Sequence, residues 1–324
     1  MLITGGKMEK IIIDCDPGHD DAIALLLAVK SGKLKVLGVT TVAGNSELYN
    51  TTNNARRILD FAGAYDIGVY SGCEKPMEKE LFRLTGVGIH GADGLGGPEI
   101  PPAVTPVKSQ HAVDFLITEL TESEEAVTLV CLGPLTNLAT AMIKEPQICR
   151  KIKKIVIMGG AVREMGNVTS AAEFNIYVDP KAADVVFKSG CIIYLNSLDI
   201  TMKAFFLEDE IERMKMKDDK TSVLVGELLA YFGASHISTF GMVICPVHDA
   251  TCIAALLDED LIQYELVNVQ ISTKDELTEG ETVADIWNFT GAEKNCYLGV
   301  SIDREKFISM IEEIMPKKYV INQK

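Results

Sequence analysis

Short runs of β-branched and aliphatic residues, each bounded by turn residues, alternate with stretches whose apolar residues recur at helical spacing. This alternation is the signature of βαβ units and a mostly parallel sheet. Candidate strands fall at residues 10–14, 35–40, 126–131, 154–158 and 191–196. Between them, residues 20–29, 48–62, 112–121, 135–143 and 180–187 carry the helical pattern. After residue 196 the pattern changes to consecutive helical stretches at 208–217 and 222–240. A further helix starts at Asp249, strands follow near 266–272 and 296–302, and a terminal helix ends the chain. The expected fold is therefore α/β, an open, mostly parallel wound sheet flanked by helices, with a helical subregion over residues 200–245. No Ser/Gly linker or internal repeat interrupts it, so residues 1–324 read as a single domain, a true second domain being the alternative. Residues 1–7, ahead of Met8, read as an N-terminal extension. Residues 74–106, rich in glycine and then proline, have little periodicity and are expected to form a long, mobile loop of the kind that often serves function.

Composition narrows the partners. With 47% hydrophobic and 24% charged residues the chain has the make-up of a folded protein. Thirty-one Lys and Arg against forty-six Asp and Glu give a net charge of -15. That field repels polyanions and disfavours nucleic acid and anionic membranes, so a neutral small molecule is the better-suited substrate. Eight cysteines without a CxxC pair read as buried free thiols. No apolar run of about 18 residues is present to span a bilayer, and no signal-peptide apolar region opens the chain. A cytoplasmic location is expected, where thiols stay reduced.

The chemistry concentrates in Asp14-Cys15-Asp16-Pro17-Gly18-His19-Asp20-Asp21, four carboxylates between an apolar strand and an apolar helix. Ligands of open α/β sheets bind beyond the carboxyl ends of strands, where this run lies. No Lys or Arg occurs between Lys10 and Lys30, so a metal ion is the natural counter-charge for the packed acids. Helix capping is the plainer alternative for Asp20 or Asp21 taken singly, though not for all four acids together. Asp249, in Pro246-Val247-His248-Asp249, is a distant acid at another strand-to-helix junction, with the same N-cap alternative. His248 beside it is either a satisfied core histidine or part of a site. An all-oxygen donor set selects a hard cation, and calcium suits it better than magnesium where the protein supplies most ligands.

These acids, together with Ala43-Gly44-Asn45, Leu132-Gly133-Pro134-Leu135-Thr136-Asn137, Met158-Gly159-Gly160, Ala172-Glu173-Phe174-Asn175 and Pro246 to Asp249, resemble the inosine-uridine nucleoside hydrolase family, with the segments in order along the chain. The resemblance implies a calcium-dependent ribosidase that splits purine or pyrimidine ribonucleosides into ribose and free base. It places Asp16, Asp21 and Asp249 on the calcium through their side chains, and Leu132 through its carbonyl. Asp20, Asn45, Asn167, Glu173 and Asn175 correspond to ribose-hydroxyl contacts, with Met158 beside the sugar and Asp14 in support. Asp16 corresponds to the base that activates water and His248 to the group that serves the departing base. His90, in the glycine-rich loop, and His236 and Phe240, one turn apart, correspond to contacts over the substrate. Exposed-loop and core-packing roles are the respective alternatives for His90 and Phe240. Relatives with a tyrosine at the Phe240 position differ here, so base preference does not carry over. The resemblance also implies a homodimer or homotetramer.

The implied chemistry is physically coherent. Cleaving an N-ribosidic bond builds positive charge on the sugar, which calls for carboxylates around the ring and a base for water. A haloacid-dehalogenase-type phosphohydrolase, which also opens with strand-DxD, is the competing enzyme class. It would want phosphate-binding cations and a hydroxyl after the second acid, where Pro17 and Gly18 stand instead. A non-catalytic nucleoside-binding protein is the third alternative.

Overall fold

The computed structural model describes residues 8–82, 91, 93–234 and 244–320. Nine strands form one sheet in the order β10-β9-β11-β6-β5-β4-β1-β2-β3. They are β1 (Glu9–Cys15), β2 (Leu34–Thr41), β3 (Val69–Ser71), β4 (Val127–Cys131), β5 (Ile152–Met158), β6 (Ile193–Asn196), β9 (Ile262–Ile271), β10 (Thr282–Asp285) and β11 (Cys296–Ile302). All neighbouring pairs from β11 through β6 to β3 are parallel, whereas β9 runs antiparallel to both β11 and β10. The expected wound sheet is thus present.

Both faces of the sheet are covered, which is why its strands read as near-continuous apolar runs. Ile11 and Ile13 of β1 point into one core cluster while Ile12 points into the other, the period-2 alternation of a pleated strand. The first cluster packs α1 (His19–Lys30), α2 (Leu48–Ala62), α9 (Lys220–Ala234), α10 (Ala250–Leu257) and α11 (Arg304–Ile314). The second packs α3 (Ala112–Glu122), α4 (Thr136–Lys144) and α6 (Pro180–Phe187). Every residue of α1 is buried, so from Ala22 to Val29 its sequence is apolar all round instead of amphipathic. The remaining α-helices among the described residues are short: α5 (Phe174–Val178), α7 (Leu198–Thr201) and α8 (Glu208–Lys215). Local signals set boundaries where they are strong: α2 stops at Gly63, held at φ +80°. Pro180 opens α6 behind the cap of Asp179, whose side chain accepts from Ala182 N.

Two features position the site. The chain leaves β1 for β2 and β3 on one side, then returns to β4 on the other, so the sheet has its topological switch point between β1 and β4. A crevice opens beyond the carboxyl ends of strands at such a point. The second feature is a two-stranded ribbon of β7 (Phe205–Leu207) and β8 (Ile244–Pro246), which the sequence pattern did not reveal. It delivers His248 and Asp249 to the same region. The described part of the glycine- and proline-rich loop, 74–82, 91 and 93–106, contains neither helix nor strand.

Candidate active site

Asp14 near the end of β1, Asp16 in the turn that follows, and Asp20 and Asp21 at the start of α1 are all at 6% exposure or less. Asp21 turns back to its own helix start, accepting from Gly18 N at 2.9 Å and Asp16 N at 3.3 Å. Asp21 therefore does cap α1, but in doing so it faces other acids. Its carboxylate converges with those of Asp20 and Asp249, their nearest oxygens within 4.8 Å of one another. Asp249 stands at the N-cap position of α10 yet makes no capping hydrogen bond through its side chain, which leaves that carboxylate for the cluster. The ribose-contact expectation for Asp20 is thus joined by a place in the acid trio, while Asp16 lies beside the trio, coupled to it through Asp21.

Asp16 is held as a fixed group. Its Oδ2 accepts from Asn45 N at 2.6 Å, and Asn45 Nδ2 reaches Asp16 O at 3.3 Å and Asp21 Oδ2 at 3.4 Å. Its Oδ1 is buried and makes no hydrogen bond. Two glycines enclose the carboxylate: a Cβ at Gly44 would lie 2.1 Å from Oδ2, and one at Gly133, just after β4, would lie 2.4 Å from Oδ1. Leaving a buried carboxylate oxygen without a donor costs free energy unless a ligand meets it.

Burial dominates the electrostatics. It pushes Asp21 up to about 7, with Asp20 adding repulsion, and drives Asp16 and Asp249 well above the carboxylate range, with their acidic neighbours adding to the effect. Glu173 is pushed up to about 7 by burial, against the opposing pull of backbone donors that include Gly160 N at 2.9 Å. Among the described residues, no lysine or arginine forms an ion pair with any of these acids. An all-oxygen set with an orphaned oxygen and no basic partner fits a hard divalent cation.

The other expected residues gather around this centre. Asn175 Nδ2 donates to Leu132 O at 2.7 Å and to Met158 O at 3.2 Å, and lies 3.4 Å from the Met158 sulfur. Asn175 thereby joins the ends of β4 and β5. Leu132 O retains a second lone pair for another partner. Glu173 caps α5, accepting from Ile176 N. Asn167 is exposed, and its side-chain oxygen accepts from Phe174 N at 2.9 Å, bracing that same turn. His248 is half-buried with Nδ1 2.8 Å from Thr201 Oγ1. Asp14 Oδ1 accepts from Thr40 Oγ1 at 2.6 Å and Asn137 Nδ2 at 2.8 Å, so it ties β1, β2 and α4 together behind Asp16. His90, His236 and Phe240 lie outside the described residues.

Sequence reasoning missed three things. Asn137 also accepts from Cys73 N and donates to Thr41 O, pinning the loop that starts at Gly72. Gly44 and Gly133 are required by the bulk of Asp16. His19, inside the acidic run itself, is 1% exposed with Nε2 2.8 Å from Gly96 O. All of these residues stand inside runs the sequence singled out, but nothing local to those runs assigned them a role, because their partners lie in distant segments. As for the eight thiols, all are free; five are buried and Cys73, Cys149 and Cys191 are half-buried. No helix among the described residues is long and apolar enough to cross a membrane.

Comparison with known proteins agrees with this geometry. The pyrimidine-specific ribonucleoside hydrolase RihA of Shewanella sp. (strain MR-4) is 43% identical over 302 residues, covering 93% of this chain and 94% of its own. The protein of the same name from Klebsiella pneumoniae is 42% identical over 305 residues, covering 94% and 97%. Among solved structures, the plant nucleoside hydrolase PpNRh1 superposes with a TM-score of 0.89 at 33% identity, covering 95% of this chain and 99% of that one. The purine-preferring ribonucleoside hydrolase from Gardnerella vaginalis gives 0.88 at 29%, with the same coverage. Neither the phosphohydrolase nor the non-catalytic alternative is favoured. The family model for inosine-uridine preferring nucleoside hydrolases matches residues 11–309, from the strand that leads into the acidic turn to the final helix, and the chain belongs to that family of ribonucleoside-hydrolysing enzymes.

Proposed function

We propose that this enzyme hydrolyses pyrimidine ribonucleosides to ribose and free base at the acid cluster, with calcium held by Asp16, Asp21, Asp249 and the Leu132 carbonyl. The observation that carries this is the buried, unpartnered Oδ1 of Asp16 beside three converging carboxylates. A bound calcium would supply the charge that grips the ribose 2′ and 3′ hydroxyls and makes a neighbouring water more acidic. Asp16, oriented by Asn45 N, takes the proton of the attacking water at Oδ1. Asp20, Asn45, Asn167, Glu173 and Asn175 hold the ribose hydroxyls, and Met158 packs beside the sugar. His248, steadied at Nδ1 by Thr201, donates a proton to the departing base. His90, His236 and Phe240 complete the base side of the pocket.

The pyrimidine preference rests on the printed specificity of relatives at 42–43% identity, against 29% for the purine-preferring structure. We further read the chain as one domain that works as a cytoplasmic homodimer or homotetramer, with no nucleic-acid or membrane partner. Ribose release from uridine, cytidine, inosine and adenosine, with and without a calcium chelator, tests the proposal. Chelator-sensitive release, fastest from uridine or cytidine, is expected. Faster release from inosine or adenosine would overturn the base preference, and chelator-resistant release would overturn the role of calcium.

A further inference from the structure

His19 has no part in the chemistry above, yet it sits at a junction of three chain segments. It opens α1 immediately before Asp20 and Asp21. Its ring lies nearly parallel to those of Tyr231 and Phe232 on α9, with centroids 5.1 and 5.7 Å away and interplanar angles of 15° and 8°. Its Nε2 is 2.8 Å from Gly96 O, and because a carbonyl has no proton to give, Nε2 must carry the hydrogen. The same tyrosine faces three nearby glycines. A Cβ at Gly91, Gly96 or Gly97 would come within 3.2, 2.6 and 2.8 Å of Tyr231, so the backbone at these three positions lies flush against the tyrosine. Asn54 adds a second tie, donating to Pro17 O at 3.2 Å and Asp93 O at 2.7 Å, and so spans from the acidic turn to the same segment.

We propose that His19 is a positioning residue whose ring face and Nε2 donor fasten residues 93–97 and α9 to the acidic turn, so that the wall of the nucleoside pocket is registered on the acid cluster. The inference rests on the proposed nucleoside site. In this reading residues 93–97 and α9 form the pocket wall. His19, which contacts Gly96, Tyr231 and Phe232, acts on that wall and not on the reacting atoms, so its loss loosens substrate binding and leaves the chemical step in place. An interaction made equally in ground and transition states appears in KM and not in kcat.

The test compares His19→Phe, which keeps the ring and loses the donor, with His19→Gln, whose amide nitrogen can occupy the place of Nε2. The full-length calcium-loaded enzyme is assayed with uridine, and amide hydrogen exchange is followed over residues 93–97. His19→Phe is expected to raise KM about tenfold with kcat within about threefold of wild type, and to speed exchange over residues 93–97. His19→Gln is expected to recover most of both. Should His19→Phe fold poorly, Gly96→Ala displaces the segment from Tyr231 with His19 intact and is expected to give the same rise in KM. Wild-type KM and exchange in these variants, or a fall in kcat as large as the rise in KM, would overturn the proposal. If the wild type itself released no ribose, the nucleoside reading would fail, and the exchange measurement would still judge the tether.

Discussion

Asp16 bears the heaviest demand of any residue in the molecule. One oxygen is committed to Asn45 N and the other is buried without a hydrogen bond, so the group is oriented before substrate arrives. Replacing Asp16 with Asn keeps the shape and removes the proposed base together with one proposed calcium ligand. A positioned general base contributes typically 10²–10⁴-fold, so kcat on uridine is expected to fall by about 10³, or about 4 kcal/mol in barrier. With calcium kept saturating, uridine binding by equilibrium dialysis should change less than kcat, and a kcat within tenfold of wild type would exclude Asp16 as the base. The acids were legible in the sequence because four carboxylates within eight residues, with no basic residue near them, exceed what helix capping alone would use. His19 was legible only as a member of that run. Its partners Tyr231 and Gly96 come from distant segments, and no local pattern records that an imidazole will meet them.

At the scale of elements, the sheet was legible wherever an apolar run was long enough to cross the core. The pattern at residues 48–62 and 180–187 coincides with α2 and α6, and at residues 296–302 with β11. The three-residue strands β3, β7 and β8 were not legible, since three residues cannot establish a period of two. β7 and β8 matter most, because their pairing is what carries Asp249 to the carboxyl end of β1. The glycines beside Asp16 belong to this scale too, since they let the segments after β2 and β4 close on the carboxylate. Gly44→Ala or Gly133→Ala would drive a methyl into Asp16, as the 2.1 and 2.4 Å approaches require. Overpacking of this kind costs about 1–3 kcal/mol, and displacement of the proposed base should lower kcat/KM at least tenfold. Urea unfolding and ribose release check the two effects, and an alanine variant with wild-type activity would show that the enclosure is unimportant.

The whole molecule concentrates negative charge where it is hardest to keep. A chain of net charge -15 buries Asp14, Asp16, Asp20, Asp21, Glu173 and Asp249 with no basic ion pair among the described residues. Burial holds Asp14 up to about 6 and Asp21 and Glu173 up to about 7, from starting values of 3.8, 3.8 and 4.5. Between about pH 4 and 7 the folded, metal-free chain therefore keeps protons that the unfolded chain has released, and its stability falls as pH rises through that window. Buried His19, held below 6.5, works in the opposite direction, since only the unfolded chain carries its proton just below that pH. It is one group against six raised carboxylates, so the acids set the sign. A cation that binds the ionised acids stabilises the fold by mass action, and more strongly as the acids deprotonate.

The most direct measurement is the Tm of the chelator-treated enzyme and of the calcium-restored enzyme at pH 5 and pH 7.5. The acid cluster, if it is a calcium site, predicts a metal-free Tm that drops between the two pH values and a calcium-induced rise that is larger at pH 7.5. A Tm at pH 7.5 that calcium leaves unchanged, or a larger rise at pH 5, would contradict the assignment of these buried carboxylates to a cation.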